Sequence, residues 1–124
     1  MAAGQGKLTV VLGASPNPER YSYLAVERLT RHGHPVVAIG LRKGAIGNTP
    51  IIPEHPVLEN VDTVTLYMNA EKQKQYYDYI LSLHPKRIIF NPGTENPELA
   101  QLAGQAGIEH PYACTLVLLS TGQY

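Results

Sequence analysis

The hydrophobic positions of this chain form short, nearly continuous runs that alternate with stretches of helical periodicity. Val10–Leu12 is such a run, and the apolar residues of 21–32 then recur at three- and four-residue spacing before Gly33. Pro35–Ile39 is a second apolar run. Continuous apolar runs are typical of strands buried on both faces, and the wider spacing is typical of an amphipathic helix. The opening segment therefore predicts a strand, a helix and a second, parallel strand.

A long connection over residues 41–60 interrupts this alternation. It shows no periodicity and contains two glycines and three prolines, so we predict an irregular loop that lines the functional site. The alternation then resumes, with Asn96 placed to cap the last helix and Pro97 at its first position. The predicted strands are Thr63–Met68 and Arg87–Phe90, and the predicted helices are Ala70–Leu83 and Pro97–Ala106.

The C-terminal segments are less regular. Ile108–Tyr112 is interrupted by polar residues and a proline, but the alternation of elements predicts a short edge strand there. Thr115–Ser120 is apolar and β-branched, which fits either a strand or a short terminal helix. Altogether the pattern predicts an α/β fold: a flexible N-terminus over residues 1–6, then a single Rossmann-like domain over 7–124 with a doubly wound parallel sheet of about five strands.

The loop after the first strand has the composition of an anion site. It reads Gly-Ala-Ser-Pro-Asn-Pro-Glu-Arg over residues 13–20. Small residues allow a ligand to approach the backbone, the first N–H groups of the next helix favour an anion, and Arg20 adds a bidentate donor. The loop lacks the spaced glycines of dinucleotide binders and the Lys-Ser/Thr ending of a P-loop. A purely structural reading, in which Gly13 makes the turn and Ser15 or Asn17 caps the helix, stays open.

Four loops are predicted to share one rim. In doubly wound sheets, ligands bind outside the carboxyl ends of the strands. These ends are Gly13–Ser15, Gly40–Gly44, Tyr67–Ala70 and Asn91–Asn96.

Length and charge limit the class of ligand. The chain has 124 residues, enough for one domain, and its ten basic and ten acidic residues cancel. No overall field therefore recruits nucleic acid or an anionic membrane, and we expect a small-molecule ligand. The single cysteine, Cys114, excludes an internal disulfide and fits a cytoplasmic location. No apolar stretch is long enough to cross a bilayer.

Taken together, the four loops resemble those of the small stand-alone CoA-binding proteins, whose fold is that of the nucleotide-binding domain at the front of the succinyl-CoA synthetase α chain. The resemblance covers nearly the whole chain. It is carried by VVLGASPNPER at Val10–Arg20, LRKGA at Leu41–Ala45, HPVL at His55–Leu58 and NPGTENPE at Asn91–Glu98.

The resemblance implies CoA or acyl-CoA as the ligand and assigns residues to its parts. The diphosphate of this small-molecule nucleotide ligand is assigned to Gly13, Ala14, Ser15, Asn17 and Arg20, the ribose phosphate to Lys43 with Gly44, and the adenine wall to Tyr67, Met68 and Asn69. Arg42 beside Lys43 also suits an extra phosphate, since an NAD binder carries an acidic residue at this position. Asn91 and Gly93 complete the predicted set. Two features depart from the family. The usual Asn-Pro after the second strand is replaced by Gly40-Leu41. No segment of the 124 residues corresponds to the phosphohistidine domain of the synthetase, so we do not expect ligase chemistry.

No catalytic or metal-binding constellation is evident from the sequence. The five histidines lack metal-ligand spacing, and Glu95 fits a loop acid better than a general base. Cys114 fits a packed, inert thiol, although a mixed disulfide with CoA is conceivable. The tyrosines at 76, 77 and 79 suggest packing or, alternatively, a homodimer face.

We expect CoA binding without catalysis. The alternatives are a small nicotinamide- or CoA-dependent enzyme, or a CoA-responsive interaction subunit.

Overall fold

The computed structural model describes residues 6–124, in which strands and helices alternate much as the hydrophobic pattern predicts. The strands are β1 (Thr9–Leu12), β2 (Val36–Ile39), β3 (Gly44–Ile46), β4 (Thr49–Ile52), β5 (Thr63–Leu66) and β6 (Arg87–Phe90). The helices are α1 (Tyr21–Arg31), α2 (Ala70–Gln73), α3 (Tyr77–Ser82), α4 (Pro97–Gln105) and α5 (Thr115–Ser120). A 3₁₀ turn at Lys74–Tyr76 joins α2 to α3, so the predicted helix over Ala70–Leu83 is present but interrupted.

The six strands form one sheet in the order β3-β4-β2-β1-β5-β6. β1 pairs in parallel with β2 and β5, and Val10 lies opposite Val37 on one side and Val64 on the other. Within the described residues only β3 runs antiparallel to its neighbour. The predicted fold class, a single α/β domain with a mostly parallel sheet, is therefore confirmed, with six strands where about five were expected.

Helices cover both faces of the sheet because side chains alternate between the faces along each strand. One buried cluster includes Val10 and Leu12 of β1 with Ile80 of α3 and Leu99 of α4. The other includes Val11 of β1 with Val26 and Leu29 of α1 and Leu119 of α5. This two-sided burial explains why β1 reads as a continuous apolar run.

The connection over residues 41–60 is not wholly irregular, contrary to the sequence-based prediction. β3 and β4 form an antiparallel hairpin around Gly47-Asn48, and β4 then pairs in parallel with β2. Gly-Asn is a turn that two-residue hairpins favour. The strands were missed because they are short and because β4 contains Pro50, a residue that sheets accept near their edges. The hairpin places Gly44 beside the loop that follows β1.

The C-terminal segments pack where the alternation predicts. Ile108–Tyr112 runs parallel to β6 through isolated bridges, with the Ile88 N–H donating to the Glu109 carbonyl at 2.7 Å and the Phe90 N–H to the Pro111 carbonyl at 3.0 Å. Its position at the sheet edge is as predicted, although it forms no continuous strand. Thr115–Ser120 forms the helix α5, which resolves the ambiguity between strand and helix.

Two other expectations concern the N-terminus and membranes. Apart from Gly6, the predicted flexible segment 1–6 lies outside the described residues. None of the helices in residues 6–124 is both long enough and apolar enough to span a bilayer.

Candidate functional site

Gly13 makes the sharp turn at which β1 ends. Its φ is 91°, in the left-handed region that favours glycine, and a Cβ placed on it would lie 2.9 Å from the carbonyl carbon and oxygen of Tyr67. The N–H groups of Gly13 and Ala14 both donate to the Ile39 carbonyl, at 3.0 and 2.9 Å. These two N–H groups therefore hold β1 to β2, and anion binding in this loop depends on the residues that follow.

The rest of the loop is braced by its own side chains. The Ser15 Oγ accepts the Asn17 N–H at 3.1 Å, and the Asn17 Oδ1 accepts the Glu19 N–H at 3.0 Å. Arg20 is the exposed N-cap of α1 and makes no side-chain cap hydrogen bond. Because the first N–H groups of a helix have no partner within it, the eleven-residue α1 presents donors and the positive end of its dipole beside Arg20.

The loops after β1 and β2 pack closely together. A Cβ on Gly40 would lie 2.2 Å from the Ala14 carbonyl oxygen, and one on Gly44 would lie 2.7 Å from the Cβ of Pro16. Only glycine permits these approaches. The structure thus brings the exposed Arg42 and the neighbouring Lys43 beside the predicted diphosphate loop.

A cavity of about 220 Å³ opens between these two loops and α2, and we call it the α2-side cavity. Its charged lining residues are Arg42 and Lys72, and none of its lining residues is acidic. Such a wall favours an anionic group. The lining residues are Gly13, Ala14, Gly40, Leu41, Arg42, Met68, Lys72, Gln75 and Tyr76.

Three residues of this lining were not predicted from the sequence: Lys72, Gln75 and Tyr76. Tyr76 was assigned to packing, and Lys72 was given no role. Tyr76 is buried, and its ring centroid lies 4.9 Å from that of His55. Lys72 lies directly before Gln73 at the end of α2, the helix that follows β5, and so faces the same edge of the sheet. The sequence signal that could have identified Lys72 was its position just after the third predicted strand.

A second cavity, of about 250 Å³, lies between the ends of β5 and β6 and the helices α1 and α5, and we call it the α5-side cavity. It is lined by Tyr21, Tyr67, Asn91, Pro92, Cys114 and Leu116. The Tyr67 hydroxyl is fully buried and has no hydrogen-bond partner in the described part of the chain. Burial raises the pKa of Tyr67 above its ordinary value.

The three residues predicted to form the adenine wall therefore do not lie together. Met68 lines the α2-side cavity, whereas Tyr67 lines the α5-side cavity. Asn69 is the N-cap of α2, with its Oδ1 accepting the Lys72 N–H at 2.9 Å. Of these three residues, the structure brings only Met68 together with Arg42.

Asn91 and Gly93 make hydrogen bonds within the protein. Asn91 is 2% exposed; its Nδ2 donates to Thr65 Oγ1 at 2.7 Å and to the Leu66 carbonyl at 2.8 Å, and its Oδ1 accepts the Thr115 N–H at 2.8 Å. The Gly93 N–H donates to the Glu95 carboxylate at 3.0 Å. The Asn91 side chain therefore joins β5, β6 and α5 beneath the α5-side cavity.

A buried amide links the loops after β5 and β6. The Nε2 of Gln73, which is 0% exposed, donates to the carbonyls of Met68 and Thr94, each at 2.8 Å. The Gln73 Oε1 accepts from Asn96 Nδ2 at 2.8 Å, and Asn96 caps α4 as predicted. This network fixes the backbone of Met68 at the wall of the α2-side cavity.

Other candidate chemistry lies apart from these cavities. In residues 6–124, no group of three or more His, Cys, Asp or Glu residues is arranged to hold a metal ion. A larger cavity, of about 720 Å³, lies at the opposite edge of the sheet beside Lys7, Asp62 and Lys86. Because ligands of parallel sheets bind at the carboxyl ends of the strands, we place the site at the rim instead.

Residues 7–120 match the family described as the CoA binding domain, and the chain therefore belongs to that family. This confirms the predicted resemblance. Among curated proteins, none is significantly similar to this chain.

Solved structures share the fold. A crystal structure of an uncharacterized protein is 54% identical, with a TM-score of 0.93, and the match covers 96% of this chain and 98% of that one. A protein from Thermus thermophilus is 20% identical, with a TM-score of 0.83 and coverage of 99% and 94%. A hypothetical protein from Pyrococcus horikoshii OT3 is 21% identical, with a TM-score of 0.83 and coverage of 95% and 84%.

Proposed function

We propose that this protein binds CoA or an acyl-CoA at the carboxyl edge of its sheet, without catalysing a reaction of its own. The observation that carries the proposal is the α2-side cavity, in which Arg42 and Lys72 face a space that no acidic residue lines. Membership of the CoA-binding domain family supports CoA as the anion. The single cysteine of the chain supports a cytoplasmic location for this binding.

Two parts of the ligand are assigned to two positions on the rim. The start of α1 and the side chain of Arg20 receive the diphosphate, because unpaired N–H groups and a guanidinium are good phosphate donors. The α2-side cavity receives the phosphorylated adenosine, with Met68 and Tyr76 as its apolar wall. An NAD-binding fold would need an acidic residue after β2 for the ribose hydroxyls, whereas Arg42 and Lys43 stand there.

Arg42 and Lys72 are expected to recognise the ribose 3′-phosphate, which dephospho-CoA lacks. Replacing either residue by glutamine should weaken CoA about tenfold and leave dephospho-CoA nearly unchanged, because a hydrogen bond to a charged group contributes about 1.5–3 kcal/mol and exposed ones lie at the lower end. Calorimetric titration of each variant with the two ligands measures the difference. The difference should shrink as the salt concentration rises.

The chain offers a matched control for Lys72. Lys74 is also exposed and lies close by in sequence, but it pairs with Glu71 at 3.3 Å and does not line the cavity. Lys74→Gln should leave both ligands unaffected. The variant Lys43→Gln tests the assignment made from the sequence. A loss of CoA affinity in Lys43→Gln but not in Lys72→Gln or Arg42→Gln would place the phosphate outside the α2-side cavity.

A further inference from the structure

The two cavities of the rim differ in chemistry. The α2-side cavity has two cationic residues in its wall, whereas no charged residue lines the α5-side cavity. Tyr21, Pro92 and Leu116 supply rings and aliphatic carbons to the second cavity, and the half-buried Cys114 adds a thiol, which behaves as a small hydrophobic group. Such a lining favours an apolar group over a phosphate.

The cavities also lie on opposite faces of the same edge. They flank the close approach between Gly13 and the backbone of Tyr67, with Gly13 lining the α2-side cavity and Tyr67 the α5-side cavity. Tyr21 connects the α5-side cavity to the proposed diphosphate position, because it is the first residue of α1 and follows Arg20 directly. The Tyr21 side chain is 71% exposed and is therefore accessible to a ligand that passes the start of α1.

We propose that the α5-side cavity receives the acyl group of a short-chain acyl thioester of CoA, and that this cavity sets the acyl-chain preference of the protein. The proposal rests on CoA binding as argued above. A ligand with its nucleotide in the α2-side cavity and its diphosphate at the start of α1 directs its flexible arm past Tyr21. The apolar end of that arm then meets the α5-side cavity, whose lining contains no charged residue.

The size of the cavity limits the chain length. A volume of about 250 Å³ equals that of about eight water molecules at about 30 Å³ each. Because a methylene group is about as large as a water molecule, the cavity sets an upper limit of about eight carbons on the acyl chain. Each methylene buried there should strengthen binding about fourfold, and the gain should stop once the cavity is full. The expected order of affinity is therefore butyryl-CoA above acetyl-CoA, and palmitoyl-CoA should gain nothing over an acyl chain of about eight carbons.

Cys114 provides a direct reporter of occupancy because it is the one cysteine in the sequence and lines the cavity. Alkylation by iodoacetamide, followed by mass spectrometry, should slow about tenfold or more at butyryl-CoA concentrations far above its Kd. Adenosine 3′,5′-bisphosphate, which has the nucleotide end but no arm, should leave the rate unchanged. Equal protection by both ligands, or protection by neither while both bind, would overturn the inference.

Two adjacent residues of α5 supply a matched pair of variants. Leu116 lines the cavity, whereas Val117 does not and is 54% exposed. Leu116→Trp fills the cavity, so butyryl-CoA should lose its advantage over CoA while CoA affinity persists, and Val117→Trp should keep that advantage. If Leu116→Trp does not fold, Leu116→Ala should move the preference to longer chains. An unchanged preference in a folded Leu116 variant would contradict the proposal.

The outcomes also separate this inference from the function on which it rests. Absence of binding by CoA and by every acyl-CoA in calorimetry overturns the proposed function itself. Binding of CoA with no dependence on acyl chain and no protection of Cys114 overturns only the role of the α5-side cavity.

Discussion

Replacing Gly13 by alanine is expected to destabilise the protein by about 2 kcal/mol or more and to abolish CoA binding. An alanine held in the left-handed region costs about 1–2 kcal/mol, and overpacking at a tight contact adds about 1–3 kcal/mol. Both apply at Gly13, whose φ is 91° and whose added Cβ would lie 2.9 Å from the Tyr67 carbonyl. Because Gly13 also lines the α2-side cavity, relief of the clash would deform the site. Urea unfolding and CoA titration measure the two effects.

Gly104 provides the control for this substitution. It lies within α4, and a Cβ there would have one neighbour, His110 Cε1, at an ordinary 3.4 Å. Gly104→Ala is expected to be neutral or to stabilise by up to about 1 kcal/mol, since alanine is the better helix former. If Gly13→Ala and Gly104→Ala were equally stable, the close packing of the β1 turn against Tyr67 would be wrong.

Replacing Asn91 by alanine is expected to cost roughly 3 kcal/mol of stability. The change leaves the Thr115 N–H and the Leu66 carbonyl without the partners that Asn91 supplies, in a site where Asn91 itself is 2% exposed. Each buried polar group left unsatisfied costs about 1–3 kcal/mol. Loss of the bond to Thr115 also frees the start of α5, so the alkylation of Cys114 should become faster.

Asn69→Ala is the comparison for Asn91. Asn69 is exposed and caps α2 through one side-chain hydrogen bond, so its loss should cost about 1 kcal/mol. Chemical denaturation of the two variants against the parent protein gives both values. Equal losses for Asn69→Ala and Asn91→Ala would argue against the buried network between β5, β6 and α5.

The sequence was sufficient to predict the parallel part of the sheet and the helices on its two faces. Strands such as β1 are buried on both faces of the sheet, so their sequences form nearly continuous apolar runs, as is typical of buried parallel strands. Asn96 and Pro97 marked the start of α4 because capping depends on the residue type at one position. These signals are local and so can be read from a single sequence.

The missed features depend on contacts between distant segments. β3 and β4 have three and four residues, too few for a clear periodic pattern, and they are recognisable only by their pairing with each other and with β2. The direction in which each residue of a rim loop faces is likewise set by packing. Consecutive residues Tyr67 and Met68 therefore line different cavities, although the sequence placed them on one wall.

The candidate site was predicted to the level of its loops, and the side chains were harder to assign. Gly13, Ala14 and Arg42 line the α2-side cavity, as the grouping of the loops implied. Asn91 was assigned to the ligand because the resemblance included its loop, but its hydrogen bonds are all made inside the protein. Lys72 received no role because its position just after the third predicted strand indicates only that it lies near the rim, and a single sequence does not show that α2 faces Arg42.

Calorimetric titration with CoA, NAD and ATP under one set of conditions tests the central claim most directly. We predict a saturable heat with CoA at one molecule per chain, and affinities for NAD and ATP that are at least about tenfold weaker, because neither carries the ribose 3′-phosphate that Arg42 and Lys72 are placed to bind. If NAD bound while CoA gave neither heat nor a thermal shift, this account would be contradicted.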